Sequence, residues 1–321
     1  MGRRIAARLG QAIVVVWIVA TMAFALIHAA PGDPFAFDAP NVTQAVRQHW
    51  RAQFGYDRPV PVQYVLWLRN VATGRLGYSH SLHEPVSQAL RDALPRTIEL
   101  MAVALVFSFG LGVLLALYQV RHRGTRRARW ADKTALFFYS LPDFWLALLL
   151  LLAFAYWFPI LPAGYPVDPV MHAYMGPAAA LVDRLRHLVL PALTLVLLTT
   201  AVVARFQRSE LLEVLPLDFV RTARAKGADD ARILHRHVLR NALLPTISLF
   251  GLSLPALLGG SVFVEKIYSW QGMGYVTVNA IDQRDYPLVM AGVLVGTAMV
   301  VLGNLVADLA YAYADPRLRV D

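Results

Sequence analysis

The chain has 321 residues, of which 57% are hydrophobic and only 16% are charged. Soluble domains usually carry about 25% charged residues, so this composition predicts a membrane protein in contact with lipid. The formal net charge of +9 would favour nucleic-acid binding in a soluble protein, but in a membrane protein it indicates basic loops on one side of the bilayer, and no nucleic-acid partner is expected. The absence of cysteine excludes disulfides, thiolate catalysis, Cys-based zinc sites and iron–sulfur clusters.

Six apolar stretches are long enough to cross the hydrocarbon core as helices, which takes about 20 residues at 1.5 Å per residue. They are residues 9–30, 96–120, 134–158, 187–206, 246–264 and 288–311. The first is interpreted as a retained span, because it lacks the short apolar core and small-residue cleavage site of a signal peptide. Pro142 predicts a kink in the third span, and Pro191 lies near the start of the fourth. The sequence therefore predicts an all-α polytopic membrane protein with six transmembrane helices.

The connections between these spans differ in composition. Residues 31–95 are polar and mixed, and we expect short helices and loops outside the membrane there. A tight basic loop is predicted at 121–133, a loop rich in Pro and Gly at 159–186, and a loop with aromatic and glycine residues at 265–287. The predicted regions are a tail with the first span (1–30), the extramembrane region (31–95), a five-span core (96–312) that includes a polar loop (207–245), and a second tail (313–321).

The distribution of Lys and Arg predicts the orientation. Six spans place both termini on one side, and that side holds 19 of the 30 Lys and Arg residues. Cytoplasmic loops carry the excess of basic residues, so both termini and the loop around 205–240 are predicted to be cytoplasmic.

The most basic connection is Asp218–Pro245, called here the basic segment. It contains eight Lys, Arg or His residues. A charged residue at the centre of a spanning helix costs about 2.5–3.5 kcal/mol, so the segment must lie in water. Its alanines favour helix, Gly227 interrupts the helix, and Asp229 and its neighbour can cap the next one. Ile233 and Leu234 begin an apolar stripe among the cations, so we predict a structured docking surface for a soluble partner.

No catalytic or metal-binding motif accompanies these elements. The chain has no His-Glu-x-x-His, no Gly-x-Ser-x-Gly and no phosphate-binding loop that ends in Lys-Ser or Lys-Thr. It is therefore not expected to be an enzyme, to hydrolyse ATP by itself or to bind a metal or cofactor.

Three polar residues in the spans carry hypotheses. Asp143, directly after Pro142, either belongs to a translocation path or is a satisfied acid at the kink. Asn304 either forms a hydrogen bond between helices or lines a pore. His28, near the outer end of the first span, is interpreted as an interfacial residue.

The basic segment resembles the cytoplasmic "EAA" signature of ABC-importer permeases, in the variant of the dipeptide/oligopeptide/nickel group. The match comprises residues 221–227 (Arg-Thr-Ala-Arg-Ala-Lys-Gly) and 240–245 (Arg-Asn-Ala-Leu-Leu-Pro). Further motifs similar to those of the group follow in the expected order over nearly the whole chain. They lie at residues 30–34, 54–59, 141–145, 161–164, 190–195, 205–209, 264–270, 272–274, 284–287 and 315–317. Arg75 and Gln271 replace the Asp and Pro usual in the group, both on the predicted outer side.

The resemblance implies the ABC type I importer permease fold and a short coupling helix around Gly227 that lies in a groove of a cytoplasmic ATPase. The implied ATPase-coupling residues are Arg221, Thr222, Ala223, Arg224, Ala225, Lys226, Gly227, Ala228, Ile233 and Leu234. Ile233 and Leu234 are expected to supply an apolar anchor for that partner, and Ala223 and Ala228 a close approach. Candidates for a path or gate are Asp143, Asn304 and Gln271.

The resemblance also implies the partners and the cargo. The expected partners are a second homologous permease subunit, an extracytoplasmic solute-binding protein and two P-loop ATPases, which would bind the ATP and Mg. The expected cargo is di- or oligopeptides, with nickel, glutathione or another small solute as alternatives. A secondary carrier or channel without ATPase partners is the competing class, and it leaves the ordered basic segment unexplained. An intramembrane enzyme would need a catalytic cluster that the spans lack.

Overall fold

A computed structural model of the protein describes residues 2–29 and 58–314. The motifs at 30–34 and 315–317, and most of the one at 54–59, lie outside the described residues. Most of the described chain is helical. Its longer helices are α1 (Gly2–Ala29), α2 (Val60–Ala72), α3 (Val86–Arg121), α4 (Arg126–Tyr139), α5 (Asp143–Leu151), α6 (Pro177–Val214), α7 (Asp218–Ala225), α8 (Leu239–Ile267), α9 (Met273–Asp282) and α10 (Tyr286–Ala314). The strands β1 (Tyr78–Ser79) and β2 (Glu84–Pro85) form a short antiparallel hairpin before α3.

Shorter helical turns complete two of the connections. A π-helical turn (Leu152–Trp157) continues α5, and a 3-10 turn (His172–Tyr174) precedes α6. Between α7 and α8, a single helical turn (Asp230–Arg232) leads into a second π-helical turn (Ile233–Val238).

Four helices of the described residues are long and apolar enough to cross a membrane: Gly10–Ala29 of α1, all of α3, all of α6 and Tyr286–Val306 of α10. The helix pair α4 and α5 makes a fifth span if it is counted as one. The predicted span at 246–264 lies within α8, where the side chains of 254–261 are outside the described part. The membrane protein is thus confirmed as helical and multi-spanning, and the count of six stays a prediction.

The kink predicted at Pro142 is confirmed as a break, because α4 and α5 meet at an angle of 102°. The predicted basic loop at 121–133 is wrong in its extent, since α4 begins at Arg126. The side chain of Thr125 accepts a hydrogen bond from Ala128 N (3.2 Å) and so caps that helix. The loop is a turn of four residues. Of the other cations predicted in it, Arg121 ends α3 and the rest lie on α4.

The spans also begin earlier than the hydropathy predicted. α6 starts at Pro177, ten residues before the expected His187, and continues through Pro191. Proline is favoured in the first turn of a helix because its missing N–H has no partner there. α3 likewise starts at Val86 and continues through Pro95. Helices of 36 and 38 residues extend well beyond the hydrocarbon core at 1.5 Å per residue.

The chain divides into two compact units, residues 1–95 with 272–299, and residues 96–271 with 300–321. In the first unit, the buried Asp285 ties the hairpin to the turn before α10. Its Oδ2 accepts hydrogen bonds from Ser79 Oγ (2.6 Å), Ser81 N (2.9 Å) and Ser81 Oγ (2.7 Å). An apolar cluster beside it packs the start of α3 against α9 and α10.

The second unit has its largest apolar cluster between α3, α5, α6 and α8. Tyr268 and Trp270, which follow α8, are fully buried in it. The Tyr268 hydroxyl donates to Ala147 O (2.9 Å), and Trp270 Nε1 donates to Arg96 O (3.0 Å). These bonds satisfy the polar ends of two large rings inside an apolar interior.

Candidate functional site

The basic segment folds as a helix, a turn and a π-helical turn. Helix α7 ends in a Schellman motif, in which Ala228 N donates to Ala223 O (3.2 Å) and Gly227 N donates to Arg224 O (3.0 Å). Gly227 has φ +85°, a left-handed conformation that L side chains rarely adopt, and nothing lies within 4 Å of a Cβ built there. The helix break predicted at Gly227 is therefore present, and its cause is backbone conformation rather than crowding.

One side of the segment packs against the chain itself. Val220 and the π-helical turn join a cluster with the ends of α3, α6 and α8, called here the loop cluster. Its buried members are Ala116, Leu117, Val120, Leu211, Val220, Ile233, Leu234, Val238 and Ala242. Ala223 and Ala228 are partly buried against it. The loop cluster fixes the segment to three helices at once.

This packing corrects part of the sequence-based assignment. Ile233 is 1% exposed and Leu234 is 5% exposed, so neither can serve as an apolar anchor for a partner. The apolar stripe among the cations faces the chain's own core, because three helix ends offer it an apolar surface. Ala223 and Ala228 are partly buried against the loop cluster, and their close approach to a partner stays a prediction.

The other side of the segment faces outward. Of the ten residues assigned from the sequence, the exposed ones are Arg221, Thr222, Arg224, Ala225, Lys226 and Gly227. Two apolar side chains that the sequence did not single out lie beside them, Leu217 (47% exposed) and Phe219 (40% exposed). Val220 and Ala223 are three residues apart and therefore lie on the same side of α7, which is the buried side. This spacing could have indicated that Phe219 lies on a different, exposed side. The outward face thus combines cations with exposed apolar surface.

Two arginines on this face form exposed ion pairs with neighbouring aspartates. Arg221 pairs with Asp218 (3.3 Å) and Arg224 pairs with Asp230 (3.1 Å), and all four side chains are largely exposed. Exposed ion pairs contribute little to stability, typically about 0–1 kcal/mol. The arginines can therefore exchange these partners for others at small cost.

The three candidate path residues lie in separate surroundings in the described structure. Asp143 accepts a hydrogen bond from Phe144 N (2.8 Å) at the start of α5. Asn304 is exposed, and within the described residues it forms no hydrogen bond to another helix. Gln271 accepts two hydrogen bonds from Arg96, at its backbone oxygen (3.2 Å) and its Oε1 (3.0 Å). The described contacts do not bring Asp143, Asn304 and Gln271 together in one site.

A second polar arrangement, which the sequence did not reveal, lies before and within the start of α6. Asp183 Oδ2 accepts from His172 Nδ1 (2.7 Å) and from Asp168 N (3.0 Å), and Asp183 Oδ1 lies 3.2 Å from His187 Nδ1. Backbone hydrogen bonds from Met171 and Val170 hold the pKa of Asp168 below its ordinary value. These two bonds are 2.8 and 2.9 Å long.

Three of these residues, Asp168, Asp183 and His187, border a cavity of about 290 Å³. The rest of its lining is Pro159, Ile160, Leu161, Pro162 and Arg186. No group of three His, Asp or Glu side chains in the described ranges is arranged to hold a metal ion. The arrangement links the 159–176 loop to α6.

The family comparisons agree with this architecture. Residues 108–320 match the family described as "Binding-protein-dependent transport system inner membrane component", and residues 1–101 match its N-terminal counterpart. The oligopeptide transport system permease protein AppB of Bacillus subtilis is 36% identical over 305 residues, with 94% of each chain covered.

Two further relatives are named for shorter peptides. The di/tripeptide permease protein DppB of Pseudomonas aeruginosa is 37% identical, with 98% of each chain covered. The dipeptide permease protein DppB of Escherichia coli K12 is 33% identical, with 97% of each chain covered. The resemblance carried by the basic segment is confirmed, and the chain belongs to the family of binding-protein-dependent transport system inner-membrane components, the permease subunits of ABC importers.

Proposed function

We propose that this chain forms half of the translocation path of an ATP-driven importer for di- or oligopeptides. A second homologous permease completes the path, an extracytoplasmic solute-binding protein delivers the cargo, and two P-loop ATPases bind ATP and Mg and supply the energy. Relatives that cover nearly the whole chain and are named for peptides support the substrate class. No charged cluster in the described spans offers a site for peptide termini, so selectivity is assigned mainly to the binding protein.

The outward face of α7 is the observation that carries the coupling role. Its inner side is fixed to the loop cluster, so a partner that grips the outer side pulls on α3, α6 and α8 together. Leu217 and Phe219 supply exposed apolar surface, and Arg221, Arg224 and Lys226 supply positive charge. A few apolar anchors surrounded by complementary charge are typical of protein interfaces. The proposed ATPase contact is this face rather than the stripe at Ile233.

Peptide uptake by the reconstituted complex tests the proposal. The chain is purified with its second permease and ATPases, placed in proteoliposomes and supplied with the binding protein. ATP-dependent uptake of a labelled dipeptide or tetrapeptide is expected, with no uptake of Ni²⁺. Uptake of Ni²⁺ alone would contradict the peptide assignment, and uptake without ATPases would favour a secondary carrier.

A single substitution tests the proposed ATPase contact. Phe219→Asp is expected to release the ATPases from the complex and abolish uptake, because it places an acid on a basic, partly apolar interface. Val170→Asp is the matched control, since Val170 is also exposed and precedes α6 instead of following it. Equal ATPase retention in both variants would remove the outward face of α7 from the interface.

The absence of cysteine makes the proposed orientation directly measurable. Lys226→Cys and Ala173→Cys place single thiols at exposed positions, the first just after α7 and the second before α6. A membrane-impermeant maleimide added to intact cells is expected to label residue 173 and not residue 226. The reverse pattern would place the termini outside.

A further inference from the structure

One buried glutamine connects the two helices that flank the basic segment. Gln207, near the end of α6, has no exposed surface. Its Nε2 donates a hydrogen bond to Ala242 O (2.9 Å), and its Oε1 accepts one from Thr246 Oγ1 (2.6 Å). Both partners lie on α8, one helical turn apart. The side chain therefore spans two successive turns of the neighbouring helix.

These bonds fix the register between α6 and α8 in a way that apolar contact cannot. The hydrophobic effect is non-directional, so apolar surfaces can slide with little change in buried area. A hydrogen bond weakens steeply when its distance or angle departs from a narrow range. If α8 slid along α6 by part of a turn, both amide groups would be left unsatisfied in a buried position, which is costly.

The location of the contact connects it to the loop cluster. Ala242 belongs to that cluster, and Leu211, another member, follows Gln207 by one turn of α6. A displacement of α7 reaches α6 and α8 through the apolar contacts of Val220 and Leu211. The Gln207 contact then keeps the two helices moving as one body.

Gln119 shows that a buried glutamine does not have this effect by itself. It lies on α3 beside Val120 of the loop cluster and is also buried. In the described residues, neither Oε1 nor Nε2 of Gln119 has a hydrogen-bond partner. Burial of a glutamine amide is therefore not enough to connect two helices; the hydrogen bonds that Gln207 forms and Gln119 lacks are also needed.

We propose that Gln207 and Thr246 are positioning residues for energy coupling, which hold α6 and α8 in one register so that force on the basic segment moves both. The inference rests on the proposed function, since it assumes that partner ATPases act on α7. Without the Thr246 hydroxyl, α6 and α8 are expected to slide along each other during each ATP-driven movement, so that part of the movement does not reach the translocation path. ATP would then be hydrolysed with fewer peptides moved.

Thr246→Val and Thr246→Ser form a matched pair for the test. Valine keeps the shape and removes the hydroxyl, whereas serine keeps the hydroxyl. The reconstituted complex with binding protein is assayed for ATP hydrolysed per peptide taken up. Thr246→Val is expected to raise this ratio several-fold, up to about tenfold for one buried hydrogen bond, and Thr246→Ser is expected to stay within about twofold of the wild type. A merely structural role would lower thermal stability and leave the ratio unchanged.

Gln207→Glu and Gln119→Leu extend the test. Gln207→Glu removes the amide N–H that donates to Ala242 O and places a carboxyl group in a buried position, so the ratio should rise. Gln119→Leu should leave the ratio unchanged, because no partner is lost. An unchanged ratio in Thr246→Val overturns the proposal, and if that variant does not assemble, an unchanged ratio in Thr246→Ala overturns it instead. A wild-type complex without ATP-driven uptake would overturn the proposed function.

Discussion

The two connections at the ends of α6 are held in place by different kinds of interaction. After α6, the basic segment is fixed by apolar burial, with Val220 and Ile233 inside the loop cluster. Before α6, the 159–176 loop is fixed by polar contacts. Asp183 accepts from His172 and from Asp168 N, and Tyr165 N donates to Tyr268 O (2.9 Å).

This difference determines what each connection can do. Apolar burial is independent of pH and leaves the opposite face of the segment free for a partner, so the basic segment can be pushed as a rigid piece. A polar network depends on charge and geometry, so the 159–176 loop should respond to substitutions that change one atom or one proton. Substitutions in each connection therefore test this difference.

The largest expected effect comes from emptying the loop cluster. Ile233→Ala should lower the free energy of unfolding by about 3 kcal/mol, through lost apolar burial and the cavity left behind. Leu217→Ala on the exposed side should change it by less than about 0.5 kcal/mol while weakening ATPase binding. Thermal unfolding in detergent and ATPase co-purification measure the two quantities. A stable Ile233→Ala variant that loses the ATPases would restore Ile233 as a partner contact.

The next effect concerns the polar connection. Asp183→Asn should destabilise the protein by about 1–2 kcal/mol, because a partly buried carboxylate loses its charge-assisted bond to His172. Asp132→Asn is the matched control, since Asp132 forms an exposed pair with Arg208 (3.5 Å) that is worth little. Thermal unfolding of both variants gives the comparison. Equal melting temperatures would mean that the loop is held by its packing instead.

The sequence predicted much of the basic segment because helix-favouring and helix-breaking residues act on their immediate neighbours in the chain. Alanines followed by Gly227 predicted a helix and its end, and a proline predicted the break at Pro142. The direction of the stripe at Ile233 could not be predicted, since periodicity marks an apolar side without saying what covers it. In this chain the ends of three helices cover it, and those contacts come from distant parts of the sequence.

The contacts of the 159–176 loop could not be predicted for a related reason. His172 and Asp183 are eleven residues apart, and neither belongs to a motif. Their pairing depends on α6 starting at Pro177, whereas hydropathy placed the start at His187. A search for apolar stretches does not detect the first turns of a spanning helix when their residues are polar. Gln207 likewise could not be singled out from the sequence, because its partners on α8 are set by tertiary packing.

A smaller effect is expected at the turn that ends α7. Gly227→Ala should cost about 1–2 kcal/mol, since an L residue in the left-handed region is strained although space for Cβ is present. Gly227→Asn should cost about half as much, because Asn tolerates this conformation better. Unfolding midpoints of the two variants measure the difference. If both variants cost the same, side-chain contacts rather than backbone strain set the requirement for glycine.

The smallest effect is the pH response of the 159–176 loop at Asp168. The pKa of this carboxyl lies below its ordinary value, because the backbone N–H groups of Met171 and Val170 bind the charged form. A lowered pKa means that the contribution is complete above the ordinary carboxyl pKa and is lost only as the pH falls through the lowered value. A spin label on Ala173→Cys reports the order of the loop between pH 7 and pH 3. The label should be less mobile than in the same variant with Asp168→Asn at neutral pH, and the two should converge only at the acid end. Convergence already near pH 6 would mean that the hydrogen bonds of the Asp168 carboxylate do not order the loop, and the contrast between the two connections would then not depend on this carboxylate.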